Sequence, residues 1–297
     1  MSVTRLRPAS RAELPALTSL WQLCFGDEAS YISFFFQTWF TEENCLILER
    51  DGSLESMLMG LPTSICLPDG TEREGVYIYA LCTDPTAQRR GNAGRLLSYA
   101  ELFFRERGCD FFLLTPQEPS LFSYFQTQRF VLGFPLWECS IPGLPRKSGE
   151  KTGMQLKKAT LEEYQMAREA QLNGRLFVRC SSMDLAYQKV LSESSGAGLY
   201  LMETEHGTGC VTAEYVGKAE DTLVIKELLM DASQYEEGLR LIQNALPAKR
   251  YLVRIPVYQA KWEGGKELPF SLFRPLRPGV LQQVEPYFPG QPGFAFD

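Results

Sequence analysis

Residues 76–97 read VYIYALCTDPTAQRRGNAGRLL. A β-type run from Val76 to Thr83 ends at Asp84-Pro85, a turn follows, and a helix begins near Asn92. The turn carries Gln88, Arg89, Arg90, Gly91, Asn92, Ala93 and Gly94, with Arg95 just inside the helix. The first turn of a helix exposes N–H groups that no carbonyl of the helix accepts, so acidic side chains are favoured there. Here Arg89, Arg90 and Arg95 gather at that end instead, which fits a place that holds an anion. Gly91 and the small Ala93 and Gly94 let backbone approach such an anion closely. No Gly-Lys-Ser/Thr follows the glycines, which argues against a nucleotide P-loop.

Outward from this stretch, the helix predicted over 92–107 places Ala93, Leu96, Leu97, Ala100, Phe103 and Phe104 on one face. Gly108 stops it, and Phe111–Leu114 reads as a strand buried on both sides. Upstream, a strand over 3–7 precedes a helix opened by Ser10 and Glu13 at capping-box spacing. A second helix is expected over 27–40, then strands at 45–49 and 55–62. Downstream, 121–128 reads as helix and 131–139 as strand.

The chain of 297 residues is long enough for two domains, and its net charge of −6 without a Lys/Arg run argues against a nucleic-acid partner. The eight cysteines contain no Cys-x-x-Cys pair and His206 is the single histidine, so neither a metal centre nor a disulfide framework is expected. The start MSVTRLRPAS lacks an apolar signal core, and no apolar run approaches the roughly 20 residues that span a bilayer. A soluble cytoplasmic protein with no membrane partner, monomer or homodimer, is the expectation.

The pattern Gln88-x-x-Gly91-x-Ala93 behind a strand resembles the acyl-CoA pyrophosphate loop of the GNAT N-acyltransferase superfamily, Arg/Gln-x-x-Gly-x-Gly/Ala. The order β-α-α-β-β-β-α-β-α-β over residues 3–140 is similar to that of the family. The resemblance implies an α/β (α+β) fold: a mixed, mostly antiparallel sheet with a splayed central strand pair, flanked by helices. It implies acetyl-CoA as acyl-donor cosubstrate and no metal. The pantetheine arm would lie along the main chain of Leu81, Cys82 and Thr83. The pyrophosphate would sit on N–H groups from Arg89 to Gly94, in the loop that Gln88 opens, with Arg89, Arg90 and Arg95 screening its charge.

The second half echoes the first. Leu156–Tyr164 parallels Leu6–Leu14, Ile225–Asp231 parallels Ile78–Asp84, and Tyr251–Pro256 parallels Phe111–Pro116. Residues 141–153 are rich in Pro, Gly and charge and read as a linker. A tandem arrangement is expected, with a GNAT domain at 1–142 and a degenerate GNAT-like domain at 153–297. At the loop, Arg89-Arg90-Gly91 is met by Glu236-Glu237-Gly238, whose charge would repel a pyrophosphate. The first domain alone is expected to bind coenzyme. Beyond Val257 the chain reads as irregular and Pro-rich, and its aromatic end (Gly293–Asp297) is expected to dock on the body.

The reaction implied is direct transfer of an acetyl group to the amine of a small molecule or peptide. Family members often protonate the leaving thiolate with a tyrosine in a Phe-Tyr-x-x-x-Gly-Phe-like segment. The matching segment here, Tyr124–Phe130, holds Phe125 at the tyrosine position and Arg129 at the glycine position. Tyr124 is the candidate acid, although adjacent helical residues differ by about 100° in direction. Tyr77, Tyr79 and Glu118 could relay a proton, and the sequence selects none of them as base. A non-catalytic acyl-CoA-binding protein and a tandem-GNAT aminoacyl transferase stand as alternatives.

Overall fold

The computed structural model describes residues 3–143, 153–204, 207–217, 221–259 and 264–295. His206, most of the expected linker and the last two residues, Phe296 and Asp297, lie outside this set. Two compact units emerge: residues 1–64, 73–131 and 272–283, and residues 65–72, 132–271 and 284–297. The division does not fall at the expected linker. Ile141 and Pro142 continue a strand that pairs with Tyr251 and Arg250, and 272–283 belong to the first unit.

The first unit begins with β1 (Thr4–Pro8), α1 (Leu14–Phe25), α2 (Ala29–Trp39), β2 (Cys45–Arg50), β3 (Ser53–Cys66) and β4 (Glu72–Thr83). It continues with α3 (Asn92–Glu106), β5 (Phe111–Leu114) and α4 (Pro119–Thr127). The Ser10–Glu13 capping box forms, but it opens a 3₁₀ turn over Arg11–Glu13 that leads into α1. Gly26, at φ 76°, ends that helix. The strands run in the order β1-β2-β3-β4-β5, with residues 272–275 antiparallel to β5. β1–β2 and β2–β3 are antiparallel, while β4 and β5 are parallel. The apolar stripe of α3 (Leu96, Leu97, Ala100, Phe103 and Phe104) is buried against Val76, Ile78, Phe112 and Leu114. Burying five such side chains stabilises the unit by about 1.5–3 kcal/mol for each large one.

The second unit takes in β6 (Val131–Pro142) from its second residue on, then β7 (Gln155–Lys158), α5 (Leu161–Leu172), β8 (Phe177–Arg179), α6 (Ser182–Ser194) and β9 (Gly198–Thr204). Next come β10 (Gly207–Val216), β11 (Thr222–Leu229), α7 (Tyr235–Ala245), β12 (Arg250–Pro256) and the start of β13 (Lys266–Pro275); the end of β13 from Leu272 and α8 (Val280–Val284) up to Gln283 fall in the first unit. The strands of the second unit run β6-β12-β11-β10-β9-β7, antiparallel except for β11–β12. Thr160 and Glu163 form the expected capping box ahead of α5. The region after Val257 departs from its reading, because residues 266–275 are a strand with Phe270, Leu272 and Phe273 buried. The end does dock, with Gln291, Phe294 and Ala295 buried. Among the described residues no helix is long and apolar enough to cross a membrane.

Candidate functional site

β4 and β5 are paired only from Gly75–Phe111 to Tyr77–Leu113. β5 ends at Leu114, whereas β4 runs on to Thr83. The far half of β4 keeps its β3 neighbour on one side, with Asp84 N–H donating to the Glu55 carbonyl at 2.8 Å. Its other edge parts from β5, giving the splayed pair and leaving the main chain of Leu81 and Cys82 without a β5 partner, while the Thr83 carbonyl accepts from Cys24 and Gln88.

A break in alternation sits in the same half. Ala80 has φ 48°, a left-handed value for a non-glycine residue inside a strand. Val76, Ile78 and Leu81 therefore share the α3 face, while Tyr79 meets Trp21 and Phe35 of the α1–α2 face. Cys82 falls on this second face beside Cys24, whose S–H donates to the Thr83 carbonyl at 3.5 Å. The hydrogen bond between the two thiols lowers the pKa of Cys24 and raises that of Cys82, which burial raises further. Tyr77 and Tyr79 stack at 6.2 Å, and the Tyr79 hydroxyl is 2.9 Å from that of Tyr31.

The turn after β4 is built by Asp84, whose Oδ1 accepts from Thr86 N–H at 2.8 Å. Gln88 ties the loop to the strand, Nε2 donating to the Thr83 carbonyl at 3.2 Å. Arg89 and Gly91 both take left-handed backbone, φ 61° and 76°. Gly91 is the N-cap of α3 and provides no side-chain cap; the first turn holds no acidic residue. The N–H groups of Asn92, Ala93 and Gly94 thus have neither a helical acceptor nor a capping side chain. A Cβ built on Gly91 meets nothing within 4 Å, and a Cβ built on Gly94 would meet only the Gln128 side chain, its Oε1 at 3.4 Å. A pyrophosphate fits this arrangement.

The charges around it divide. Arg89 and Arg95 are exposed and form no ion pair among the described residues. Arg90 donates to the Thr86 carbonyl at 2.9 Å and lies 3.7 Å from Glu55, so part of its charge is already met. The side chain of Asn92 does not face an anion. It is buried, donating to Glu55 Oε2 at 2.8 Å and the Ala87 carbonyl at 3.3 Å, which leaves only its backbone N–H at the helix mouth. Glu55, held by Arg50 at 3.0 Å, is thus the organiser of the loop. The sequence did not reveal it, because Asn92 and Glu55 are 37 positions apart.

On α4, Phe125 is buried in the core with Leu97 and Phe130, and Tyr124 is half-buried at its edge. Burial raises the pKa of the Tyr124 phenol, so it stays protonated at neutral pH. Arg129, at the position of the family glycine, has φ 68° and pairs with Glu101 at 2.7 Å. The backbone there asks for glycine whichever residue it carries.

The second unit repeats the irregularities. β11 pairs with β12 only up to Ile225–Val253. Thr212 faces Glu227 and Ala213 faces Ile225, leaving Lys226 as the extra residue of a bulge. Asp231 accepts from Ser233 N–H at 2.8 Å, as Asp84 does from Thr86. The loop itself is different. The turn over Ala232–Gln234 runs directly into α7 at Tyr235, with nothing in the place of residues 88–91. Glu236, Glu237 and Gly238 are therefore helical and do not form a loop equivalent to Arg89–Gly91; the two glutamates lie in the first turn.

Comparison with known proteins agrees with this geometry. Residues 5–126 match the family of the acetyltransferase (GNAT) domain. No curated protein sequence matches the chain. A GCN5-related N-acetyltransferase structure from Anabaena variabilis aligns with a TM-score of 0.71 at 13% identity, over 93% of this chain and 73% of that one. A probable N-acyltransferase from Enterococcus faecalis aligns at 0.69 and 13%, again over 93% and 73%. A GCN5-related N-acetyltransferase from Kribbella flavida gives 0.67 and 13%, over 92% and 71%. These likenesses establish the fold, and the family match places an acetyltransferase (GNAT) domain at residues 5–126.

Proposed function

We propose that this chain is an acetyl-CoA-dependent N-acetyltransferase that acts on the amine of a small molecule or peptide. One observation carries the reading: the uncapped, acid-free helix mouth at Asn92–Gly94 follows directly on the splayed half of β4. The mouth would hold the pyrophosphate on the amides of residues 92–94, screened by Arg89 and Arg95, with Arg90 shared with Glu55. The edge at Leu81–Thr83 would pair with the pantetheine arm as an added strand does. The bound cosubstrate supplies the activated acyl thioester. Tyr124 would deliver the proton that a departing thiolate needs, its phenol kept protonated by burial. The eight cysteines form no disulfide, which suits a reducing, cytoplasmic setting.

The test is stabilisation by acetyl-CoA, CoA and longer acyl-CoAs in a thermal-shift titration, followed by a thiol-release screen over amines. Arg89→Glu combined with Arg90→Glu should abolish the shift. Unchanged stabilisation in that double variant would remove the anion from this loop. A second reading, an acyl-CoA-binding protein without transferase activity, draws on Phe125, which buries a ring without a hydroxyl at the family's tyrosine position. Tight acetyl-CoA binding with no thiol release across the amine panel would favour it.

A further inference from the structure

Beyond the last β11–β12 pair, Lys226 and Glu227 of β11 and Arg254 of β12 line a small cavity together with the chain's own C-terminal segment, residues 291–295. Gln291 N–H donates to the Leu176 carbonyl and Val178 N–H donates to the Gln291 carbonyl, both at 2.9 Å. The segment thus bridges β8 in parallel at Phe177. Its side chain reaches into the sheet, Gln291 Nε2 donating to Glu227 Oε1 at 3.1 Å. Glu227 stands at the bulge, where the repeat places Ala80 in the first half.

Arg168 of α5 completes the arrangement. Its Nε donates to Glu227 Oε2 at 3.0 Å, its Nη1 to the Val178 carbonyl at 2.9 Å and its Nη2 to the Pro292 carbonyl at 3.1 Å. Tyr164 donates its hydroxyl to Glu227 at 3.0 Å. Arg168, Glu227 and Gln291 are only 1%, 3% and 2% exposed. A buried ion pair is held well only when its remaining donors and acceptors are matched. Here two of the matches, the Pro292 carbonyl and the Gln291 amide, come from the segment. Gly293 lies so close to Val178 that a Cβ built on it would come within 3.0 Å of the valine Cγ1, and Phe294 and Ala295 are buried beyond it.

We infer that the second unit is a peptide-binding module. Its cleft takes an extended, uncharged segment with glutamine at the strand-pairing position and an aromatic residue three places on, and its resident ligand is residues 290–295. The copy of the fold that lacks the basic loop has exchanged a coenzyme cleft for a strand-addition groove. This inference is independent of acyl transfer, and its readouts involve no coenzyme.

The probes are a chain ending at Phe288 and the synthetic peptide PGQPGFAFD, residues 289–297. Calorimetry should give one peptide per chain, and the Val178 amide should regain slow hydrogen exchange on binding. A peptide carrying Gln291→Ala should bind at least about tenfold more weakly, as expected for a lost hydrogen bond to a charged group. Should the shortened chain not fold, the full chain carrying Gln291→Ala or Phe294→Ala replaces it. There, exchange at Val178 should accelerate about tenfold or more, while amides of α3 keep their rates. The inference is overturned by a folded shortened chain that does not take up the peptide. Equal affinity of the altered peptide, or unchanged protection of Val178 in both full-length variants, would overturn it as well.

Discussion

Gly91→Ala separates the two demands that the loop makes on its backbone. Gly91 has φ 76° and open space around a built Cβ, so alanine meets no clash and only the left-handed conformation is penalised. That penalty is about 1–2 kcal/mol, offset by about 0.5–1 kcal/mol because alanine restricts the unfolded chain. The net loss of stability should be about 1 kcal/mol. Gly108, at the other end of α3, provides the control, with φ 94° and equally open surroundings. It lies roughly 22 Å away, from a rise of about 1.5 Å per residue along the helix. Chemical denaturation should therefore score Gly91→Ala and Gly108→Ala alike. Calorimetry with acetyl-CoA should not. A methyl before the amides of residues 92–94 keeps a phosphate oxygen from at least one charge-assisted hydrogen bond. Each is worth about 1.5–3 kcal/mol, or roughly 10- to 150-fold in Kd. Equal acetyl-CoA affinity in both variants and the parent would refute the placement of the anion, whatever their stabilities.

Three further outcomes follow from single side chains. Tyr124→Phe should leave acetyl-CoA affinity unchanged and lower kcat by about a hundredfold or more, the scale of a lost general acid; an unchanged kcat would make Tyr124 a packing residue. At Arg129, glycine should be more stable than alanine by about 1 kcal/mol in thermal melts, because φ 68° penalises any Cβ while both changes lose the Glu101 pair; alanine equal to glycine would contradict that backbone. Glu13 is held at a pKa of about 2, below its usual 4.5, chiefly by its hydrogen bond to Arg7. Its contribution is fully present above pH 4.5 and is lost as pH falls toward 2. For a pair this exposed to solvent it amounts to about 1 kcal/mol. Urea denaturation at pH 6 and pH 2 should show the deficit of Glu13→Gln relative to the parent shrinking markedly at the lower pH.

Much of the first unit was legible because its signals are local. The stripe on α3, the punctuation at Asp84-Pro85 and Gly108, and the basic turn all fall within a few residues of one another. What escaped depends on distance or on backbone geometry. Glu55 orders the loop from another strand, and nothing near it in sequence marks the role. The bulge at Ala80 carries no glycine, so the alternation of 76–83 gave no sign that Leu81 and Cys82 exchange faces. Arg129 shows the reverse case, a departure from the family pattern whose backbone conforms to it. In the second unit the repeat of strands and caps was readable, whereas an ungapped match set Glu236–Gly238 against a loop that is not there. Strand β13 was missed because Pro269 and Pro275 mark a Pro-rich stretch, yet both are tolerated on either side of the buried run from Phe270 to Arg274.

The Asp-capped turn occurs twice, once ahead of residues 88–91 and once with the helix following directly. The scaffold beneath is the same on either side of that difference, since strand, bulge and cap are complete before the extra residues begin. Lengthening a surface connection by so little adds only tenths of a kcal/mol in closure entropy. Within this architecture an anion cradle is thus a detachable accessory, which evolution or an engineer can add to or delete from either copy without redesigning the sheet that carries it.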